Sequence, residues 1–445
     1  MATPSQAGAC CHKARPCEKA LPQPVTISWP KRRLAASFAA LLSRNACVSL
    51  PRISALPDGP FARLAALLGD EKPGKEPIRL SLGDPAGAVP EFVTAAMARE
   101  AARFGNYPMI DGTGEWRQAA AGWVTRRFGL PEGRIDPERH VLPLNGTREG
   151  LFSVLFPFMP ERKGGGQPIV AMPNPFYQVY AAAALACGAE PLYVPARQDT
   201  GFLPDYASLP AAVLDRIAAV FICSPSNPEG AFASEAYWRT LFELAERHDF
   251  LVLADECYAD IWFDAPPVCA LTARFAQSGG FSRLLTFHSL SKRSGLPGLR
   301  SGMVAGCANL IARFRAFRNV AGPQVPAPIL AASAACWNDE AHVDAGRAAY
   351  QAKMAAAERI LEGRMTRPQG GFFLWLDVDQ GEDAALRLWQ AEGVRVLPGA
   401  YVGRETEAGK TQSNPGFSYI RIALVSDLST ILTALERVRN FLDRA

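Results

Sequence analysis

Five short apolar runs lie in order along the middle of the chain. They are 168–175 (PIVAMPNP), 218–225 (AAVFICSP), 249–256 (DFLVLADE), 283–290 (RLLTFHSL) and 301–306 (SGMVAG). Each is continuous rather than alternating, which is how a strand reads when both of its faces are covered, as in a parallel sheet. Helical stretches such as 233–248 (ASEAYWRTLFELAERH) separate them. That order predicts an α/β domain, doubly wound, with helices on both faces of a mostly parallel sheet. From about residue 308 the pattern changes. A helix-rich stretch that includes 340–363 leads into strand-like runs at 370–378, 394–399 and 419–425, and a helix closes the chain. This predicts a smaller α+β domain. No internal repeat is visible, and 161–168 and 405–416 read as polar loops.

The length, 445 residues, allows two or three domains. Hydrophobic residues make up 49%, enough for a large core, and no apolar run approaches the 18 or more residues of a membrane helix. The net charge of +4 is unevenly placed. Residues 1–50 hold seven of the basic side chains and one acid (Glu18), so the body is slightly acidic and argues for no nucleic-acid surface. Four of the ten cysteines (Cys10, Cys11, Cys17, Cys47) lie in that first stretch, with a spacing that fits no structural zinc pattern. The other six are scattered in apolar contexts without a C-x-x-C pair, which predicts reduced thiols and a cytoplasmic protein. Residues 1–48 are acid-poor, and 31–45 places Leu34, Phe38, Leu41 and Leu42 on one helical face beside arginines. That resembles a transit peptide, but the favoured reading is a tail added by an upstream start codon. The fold is expected to exclude it.

In open α/β sheets ligands gather at the carboxyl ends of the strands, and several runs lead into reactive residues there. SLSKRSGLPGLRSG (289–302) brings Ser289, Ser291, Lys292 and Arg300 together. A lysine suits a Schiff base with an aldehyde, and hydroxyls with a guanidinium suit an attached phosphate. Alone, Lys292 equally fits a solvated loop lysine. An S-x-x-K acyl-transfer reading fails for want of S-D-N and K-T-G elements. In LADECY (253–258), Asp255 ends an apolar strand and requires a cation or donor, such as a protonated pyridine nitrogen; a helix-capping carboxylate is the alternative. In CSPSNPEG (223–230), Asn227 offers a donor to a phenolate oxygen, with the isomers at Pro225 and Pro228 left open. Gly146-Thr147-Arg148 opens a helix and suits an anion, although Thr147 also fits a plain N-cap. Tyr177, in PNPFYQVY, suits stacking on an aromatic ring. Together these make a kit for pyridoxal phosphate. Gly112 and Gly114 lack the third glycine and the strand of a nicotinamide fingerprint. No metal is expected.

The strings VLPLNGTREGLF, PNPFYQVY, CSPSNP, DECYADIWFD, SLSKRSGLPGLRSG, VLPGAYVGRE and IRIALV, in this order, resemble the fold-type I aminotransferases of classes I and II over nearly all of 50–445. The nearest likeness is to the proteobacterial N-succinyldiaminopimelate aminotransferases. The resemblance implies a tail (1–48), an arm with part of the small domain (49–90), a large cofactor-binding domain (91–330) and a small C-terminal domain (331–445). It implies that Lys292 carries the cofactor aldehyde, Asp255 pairs the ring nitrogen, Asn227 and Tyr258 hold the phenolate oxygen, and Tyr177 stacks on the ring. Thr147, Ser289, Ser291, Arg300 and the backbone of Gly146 to Arg148 would hold the phosphate. Tyr107 would reach the phosphate of the other subunit in a homodimer with shared active sites. Arg421 would clamp the substrate α-carboxylate, with Gly83 and Asn227 on the substrate side.

The implied reaction is amino transfer between glutamate/2-oxoglutarate and N-succinyl-LL-2,6-diaminopimelate/N-succinyl-2-amino-6-oxopimelate, in lysine and diaminopimelate synthesis. The alternatives are a general aminotransferase for aspartate, aromatic or other amino acids, and a pyridoxal-dependent β-lyase. A regulator on this fold would need a DNA-binding domain, for which 48 residues are too few. The family's usual N-P-T-G reads Asn227-Pro228-Glu229-Gly230 here, with little expected effect. SLGDPAGAVP departs from the common G-E-P segment and bears on the substrate. Arg148, Arg293 and Arg404 are candidate partners for distal carboxylates, and each also fits a structural surface charge.

Overall fold

A computed structural model describes residues 59–85 and 87–444. The described strands are β1 (Ile78–Arg79), β2 (Val141–Leu144), β3 (Ile169–Asn174), β4 (Glu190–Pro195), β5 (Ile217–Cys223), β6 (Leu251–Asp255), β7 (Leu284–Ser289), β8 (Gly302–Gly306), β9 (Phe373–Asp377), β10 (Val394–Arg395), β11 (Leu397–Pro398) and β12 (Tyr419–Ala423). Seven form one sheet in the order β2-β8-β7-β6-β5-β3-β4. Only β8 runs against the rest. The five apolar runs are all strands of this sheet, with ends within two residues of expectation. β3, β5, β7 and β8 are buried at every position, the reason their sequences do not alternate. β4 was not legible. Its two prolines argue against a central strand, and it pairs only with β3, at the sheet edge where a missing N–H is tolerated.

Helices cover the sheet by their apolar faces. The helix Glu235–His248 starts where the Ser234 hydroxyl accepts from the Tyr237 N–H, and it stops at Asp249 in the left-handed region. It buries Trp238, Leu241, Phe242 and Ala245, the spacing of a single face. The DGTGEWR segment is also a helix start. Thr113 caps Gly114–Phe128 by accepting from the Trp116 N–H, so Gly112 and Gly114 serve a turn and a helix, not a dinucleotide. Within this core Trp116 Nε1 donates to Ser333 Oγ at 2.9 Å, and Ser301 Oγ donates to the same oxygen at 2.8 Å.

The C-terminal strands form a separate antiparallel sheet, β11-β12-β9. The helices Ala341–Ile360, Gly381–Glu392 and Leu428–Leu442 contribute to its core. β1 pairs in parallel with β10, so residues near 78 join this part of the molecule. The expected division at 330/331 falls inside the helix Ala327–Asn338. Its buried Ala332, Ala334, Cys336 and Trp337 belong with the core of the large sheet, because they pack against the helices Glu91–Arg99 and Gly114–Phe128. The expected tail and its four cysteines lie outside the described residues. The six cysteines from Cys187 to Cys336 are free thiols. Among the described residues no helix is long and apolar enough to cross a membrane.

Candidate active site

The last turns of β3, β5, β6 and β7 present Pro173, Cys223, Asp255 and Ser289 to a cavity of about 760 Å³. Lys292 projects into it from the short helix Leu290–Arg293 that follows β7. Its Nζ donates to the Gly83 carbonyl at 2.6 Å and lies 5.2 Å from the Phe372 ring centre. Burial lowers the Lys292 ammonium to about 8, against the opposing pull of Asp84 and Asp255. Gly83 itself leaves no room for a side chain, since a Cβ there would overlap Phe373.

Asp255 is buried and accepts from the Tyr180 hydroxyl at 2.6 Å and from the Cys257 N–H at 3.3 Å. Both donors are neutral, and burial holds its carboxyl above the ordinary range. The capping role belongs to its neighbour. Glu256 Oε1 accepts from the Ala270 N–H at 2.8 Å, at the start of the helix Ala270–Ser278. Asp255 is thus left facing the cavity.

On the opposite wall, Arg421 projects from β12. Its two terminal nitrogens donate to Asn227 Oδ1 at 3.2 Å and to the Ser81 carbonyl at 3.0 Å, while its Nε has no partner among the described residues. The guanidinium lies 4.3 Å from the Phe373 ring centre, and burial lowers it to about 10. No carboxylate of the described residues pairs with it. Asn227 is more than a turn residue: its Nδ2 donates to the Tyr258 hydroxyl at 3.4 Å, so the side chain bridges Tyr258 and Arg421.

The fourth wall is polar. Gly146 has φ +78, and a Cβ there would overlap the Arg300 guanidinium, which approaches its backbone. Arg300 is held by the Pro297 and Asn145 carbonyls, at 2.9 and 3.2 Å. Thr147 is not the N-cap, a place taken by Gly146; its hydroxyl meets the Cys257 sulfur at 3.1 Å. Ser289 and Ser291 complete this wall. Tyr177 ends the loop after β3, and its hydroxyl accepts from Arg148 Nε at 2.6 Å. The three proline bonds in these loops, at Pro175, Pro225 and Pro228, are cis.

Thus Gly83, Thr147, Arg148, Tyr177, Asn227, Asp255, Tyr258, Ser289, Ser291, Lys292, Arg300 and Arg421 line one cavity, and Gly146 stands behind it. Tyr107 does not, and is 98% exposed. Arg293 and Arg404 are structural. Arg293 is buried against Asp260, Glu340 and the Cys336 carbonyl, while Arg404 lies over the Phe176 ring. Sequence reasoning missed Tyr180, Cys257, Gln178 and the Phe372-Phe373 pair. Tyr180 was within reach, since it follows Tyr177 by three residues and so shares its side of a helix. The phenylalanines carried no such signal, being placed by a sheet that only pairs after folding.

Residues 75–437 match the family described as aminotransferase class I and II. The chain belongs to this family. It is 32% identical to the LL-diaminopimelate aminotransferase of Desulforudis audaxviator over 409 residues, covering 89% of this chain and 98% of that one. The crystal structure of an aminotransferase from Neisseria meningitidis is 37% identical, with a TM-score of 0.82, covering 87% and 98% of the two chains. A probable N-succinyldiaminopimelate aminotransferase from Thermus thermophilus, 24% identical with a TM-score of 0.74, shares the fold over 86% of this chain and 100% of that one. The expected special likeness to the N-succinyl enzymes is therefore not distinguished from a likeness to the LL-diaminopimelate enzymes. Class I and II aminotransferases depend on pyridoxal phosphate. The donor set of this chain fits that group. A buried carboxylate with only neutral donors suits a cationic ring nitrogen. A Cβ-free backbone cradle with three hydroxyls and a guanidinium suits a phosphate.

Proposed function

We propose that this aminotransferase moves an amino group between glutamate/2-oxoglutarate and N-succinyl-LL-2,6-diaminopimelate/N-succinyl-2-amino-6-oxopimelate. The observation that carries the chemistry is one cavity with three buried groups that lack a charged partner among the described residues: the Lys292 amine, the Asp255 carboxylate and the Arg421 guanidinium. Each would be costly to keep so without a guest. Pyridoxal phosphate, when bound, supplies an aldehyde that captures the amine and a protonated ring that draws electrons from the substrate Cα–H bond.

The rest falls to the chain. Thr147, Ser289, Ser291 and Arg300, with the backbone at Gly146, anchor the phosphate. Asp255 would hold a proton on the ring nitrogen, and the Tyr180 hydroxyl orients that carboxylate. Tyr177 would lie against the ring, while Asn227 and Tyr258 would offer an amide and a hydroxyl to its oxygen. Arg421 holds the α-carboxylate in the fork that a guanidinium matches, which aligns the Cα–H bond with Lys292. The Lys292 Nζ, which faces the same cavity, would take and return the α-proton. Burial lowers its conjugate acid to about 8, so at neutral pH more of it is free amine than of an ordinary lysine. We further propose a homodimer in which Tyr107 of each chain completes the phosphate site of the other.

The reading favoured by the curated relative is LL-diaminopimelate itself as substrate. One titration tests both. Protein loaded with pyridoxal phosphate should be yellow. Bleaching by N-succinyl-LL-diaminopimelate, reversed by 2-oxoglutarate, supports our reading. Bleaching by LL-diaminopimelate alone replaces the substrate, and no colour with Lys292 intact removes the mechanism.

A further inference from the structure

Behind the polar wall of the cavity lies an ion pair that the transfer step does not use. Arg318, in the last turn of the helix Ala308–Ala321, is 1% exposed. Its Nη1 donates to Glu149 Oε1, and its Nη2 donates to the Pro323 carbonyl at 2.9 Å. Glu149 is the only carboxylate of the described residues that it meets. Glu149 follows Thr147 by two positions, and its Oε2 accepts from the Asn145 N–H at 3.2 Å. Asn145 carries the link onward. Its side-chain amide donates to the same Pro323 carbonyl at 3.1 Å, and its own carbonyl accepts from Arg300 Nη2 at 3.2 Å. Contacts thus run from Arg318 through Glu149 and Asn145 to Arg300, the guanidinium of the polar wall. Neither Arg318 nor Glu149 lines the cavity itself.

We propose that Arg318 is a positioning residue for the cofactor phosphate: it cancels the Glu149 charge behind the polar wall and, through Glu149 and Asn145, sets the place of Arg300. This deepens the proposed function and rests on the pyridoxal phosphate reading of the site. Two arguments carry it. The first is charge. A carboxylate two residues from Thr147, seated in protein rather than in water, repels a phosphate with little screening. A buried guanidinium that meets no other carboxylate removes that repulsion. The second is geometry. Arg300 has φ +52, a left-handed conformation that surrounding contacts must hold in a residue other than glycine. Its guanidinium grips two carbonyls, those of Pro297 and Asn145, and the second is the one tied back to Arg318.

The test measures dissociation constants for pyridoxal phosphate and for pyridoxal, which has the same ring and aldehyde but no phosphate. Both are read from the yellow absorbance as the cofactor-free full chain is titrated. The ratio of the two isolates the phosphate contribution, which a role in general stability would not move. R318M should weaken pyridoxal phosphate about tenfold or more and leave pyridoxal within about threefold, because an uncancelled carboxylate then opposes the phosphate. E149Q removes that carboxylate and keeps an amide oxygen for the Asn145 N–H, so it should bind pyridoxal phosphate at least as tightly as the wild type. R318M that weakens both ligands alike, or neither, overturns the inference. So does E149Q that loosens pyridoxal phosphate as R318M does, since a merely structural pair responds in the same direction to either loss. If R318M does not fold, the sign of the E149Q effect decides alone. A wild type that shows no yellow absorbance with pyridoxal phosphate overturns the cofactor reading and this inference with it, whereas failure in the variants beside a coloured wild type overturns the inference only.

Discussion

Arg421 is buried, stacked on Phe373 and hydrogen-bonded only to neutral oxygens. Replacing it by lysine keeps a charge but loses the fork. R421K should lower kcat/KM for every amino-acid substrate by about 10–100-fold, since hydrogen bonds to charged groups are worth about 1.5–3 kcal/mol. Its cofactor absorbance should stay as in the wild type, and a variant that loses colour instead would place Arg421 in cofactor binding. Lys292 offers a second check. Burial lowers its ammonium to about 8, so the fraction of free amine rises through that pH and not through the ordinary lysine range. Cofactor-free protein should take up pyridoxal phosphate with a rate whose pH midpoint lies near 8; a midpoint near that of a solvated lysine would show that the cavity does not desolvate it. The two positions were legible because each lies in a short string the family resemblance singled out, Lys292 just after the end of β7 and Arg421 within β12. Gln178, Phe372 and Phe373 were not. Nothing in their neighbours distinguishes them from core or surface residues, and they matter only because β9 and the loop after β3 meet around Lys292.

At the level of elements, the turn 224–231 is the least ordinary part of the site. It carries Asn227, and Ser226 ties it by a backbone bond to Ala231 and a side-chain bond from the Ala231 N–H. Within it Glu229, where the family commonly has threonine, is buried with Oε1 unpartnered, and burial raises its carboxyl to about 8. A carboxyl raised in the folded state stabilises the fold below its unfolded value, about 4.5, and that contribution is lost as pH climbs to about 8. E229Q should therefore match the wild type in unfolding free energy from urea melts near pH 4 and exceed it at pH 8 by an amount on the order of 1–3 kcal/mol. Equal values at pH 8 would mean that the carboxylate is solvated after all. Elsewhere, the strands and the long amphipathic helices were readable from period and caps, because each hides one face against the same sheet. The edge strand β4 and the two-residue β1 were not, since prolines mask the one and the other is too short for any period, whereas its partner β10 falls within the strand-like run 394–399. The Trp116-Ser333-Ser301 bonds also escape the sequence. S333A should cost about 1–3 kcal/mol in denaturant unfolding, because it strands a buried indole N–H; a neutral result would imply that water replaces the serine.

For the whole molecule, Tyr107 is the residue whose place makes sense only beyond one chain. It is 98% exposed and lines no part of its own cavity. If it serves a second copy, a chain with K292A and a chain with Y107A, refolded together, form one intact site and one doubly impaired one. Amino transfer with wild-type cofactor affinity should then return in the mixture and be missing from either parent; a mixture no better than Y107A alone would place Tyr107 outside the site. The single chain has its own long reach. Lys292 is anchored to the Gly83 carbonyl, 209 positions upstream, and Arg421 to the Ser81 carbonyl, 340 positions upstream. Strand β12, which carries Arg421, emerges from the ribosome some 340 residues after Ser81. While it is being made, the early segment must therefore wait with its carbonyls unclaimed, and the amine that will do the chemistry has no finished wall around it. A message cut short before the codon for Arg421 would leave out the guanidinium we propose as the carboxylate clamp, so the proposed site is whole only once β12 has been made.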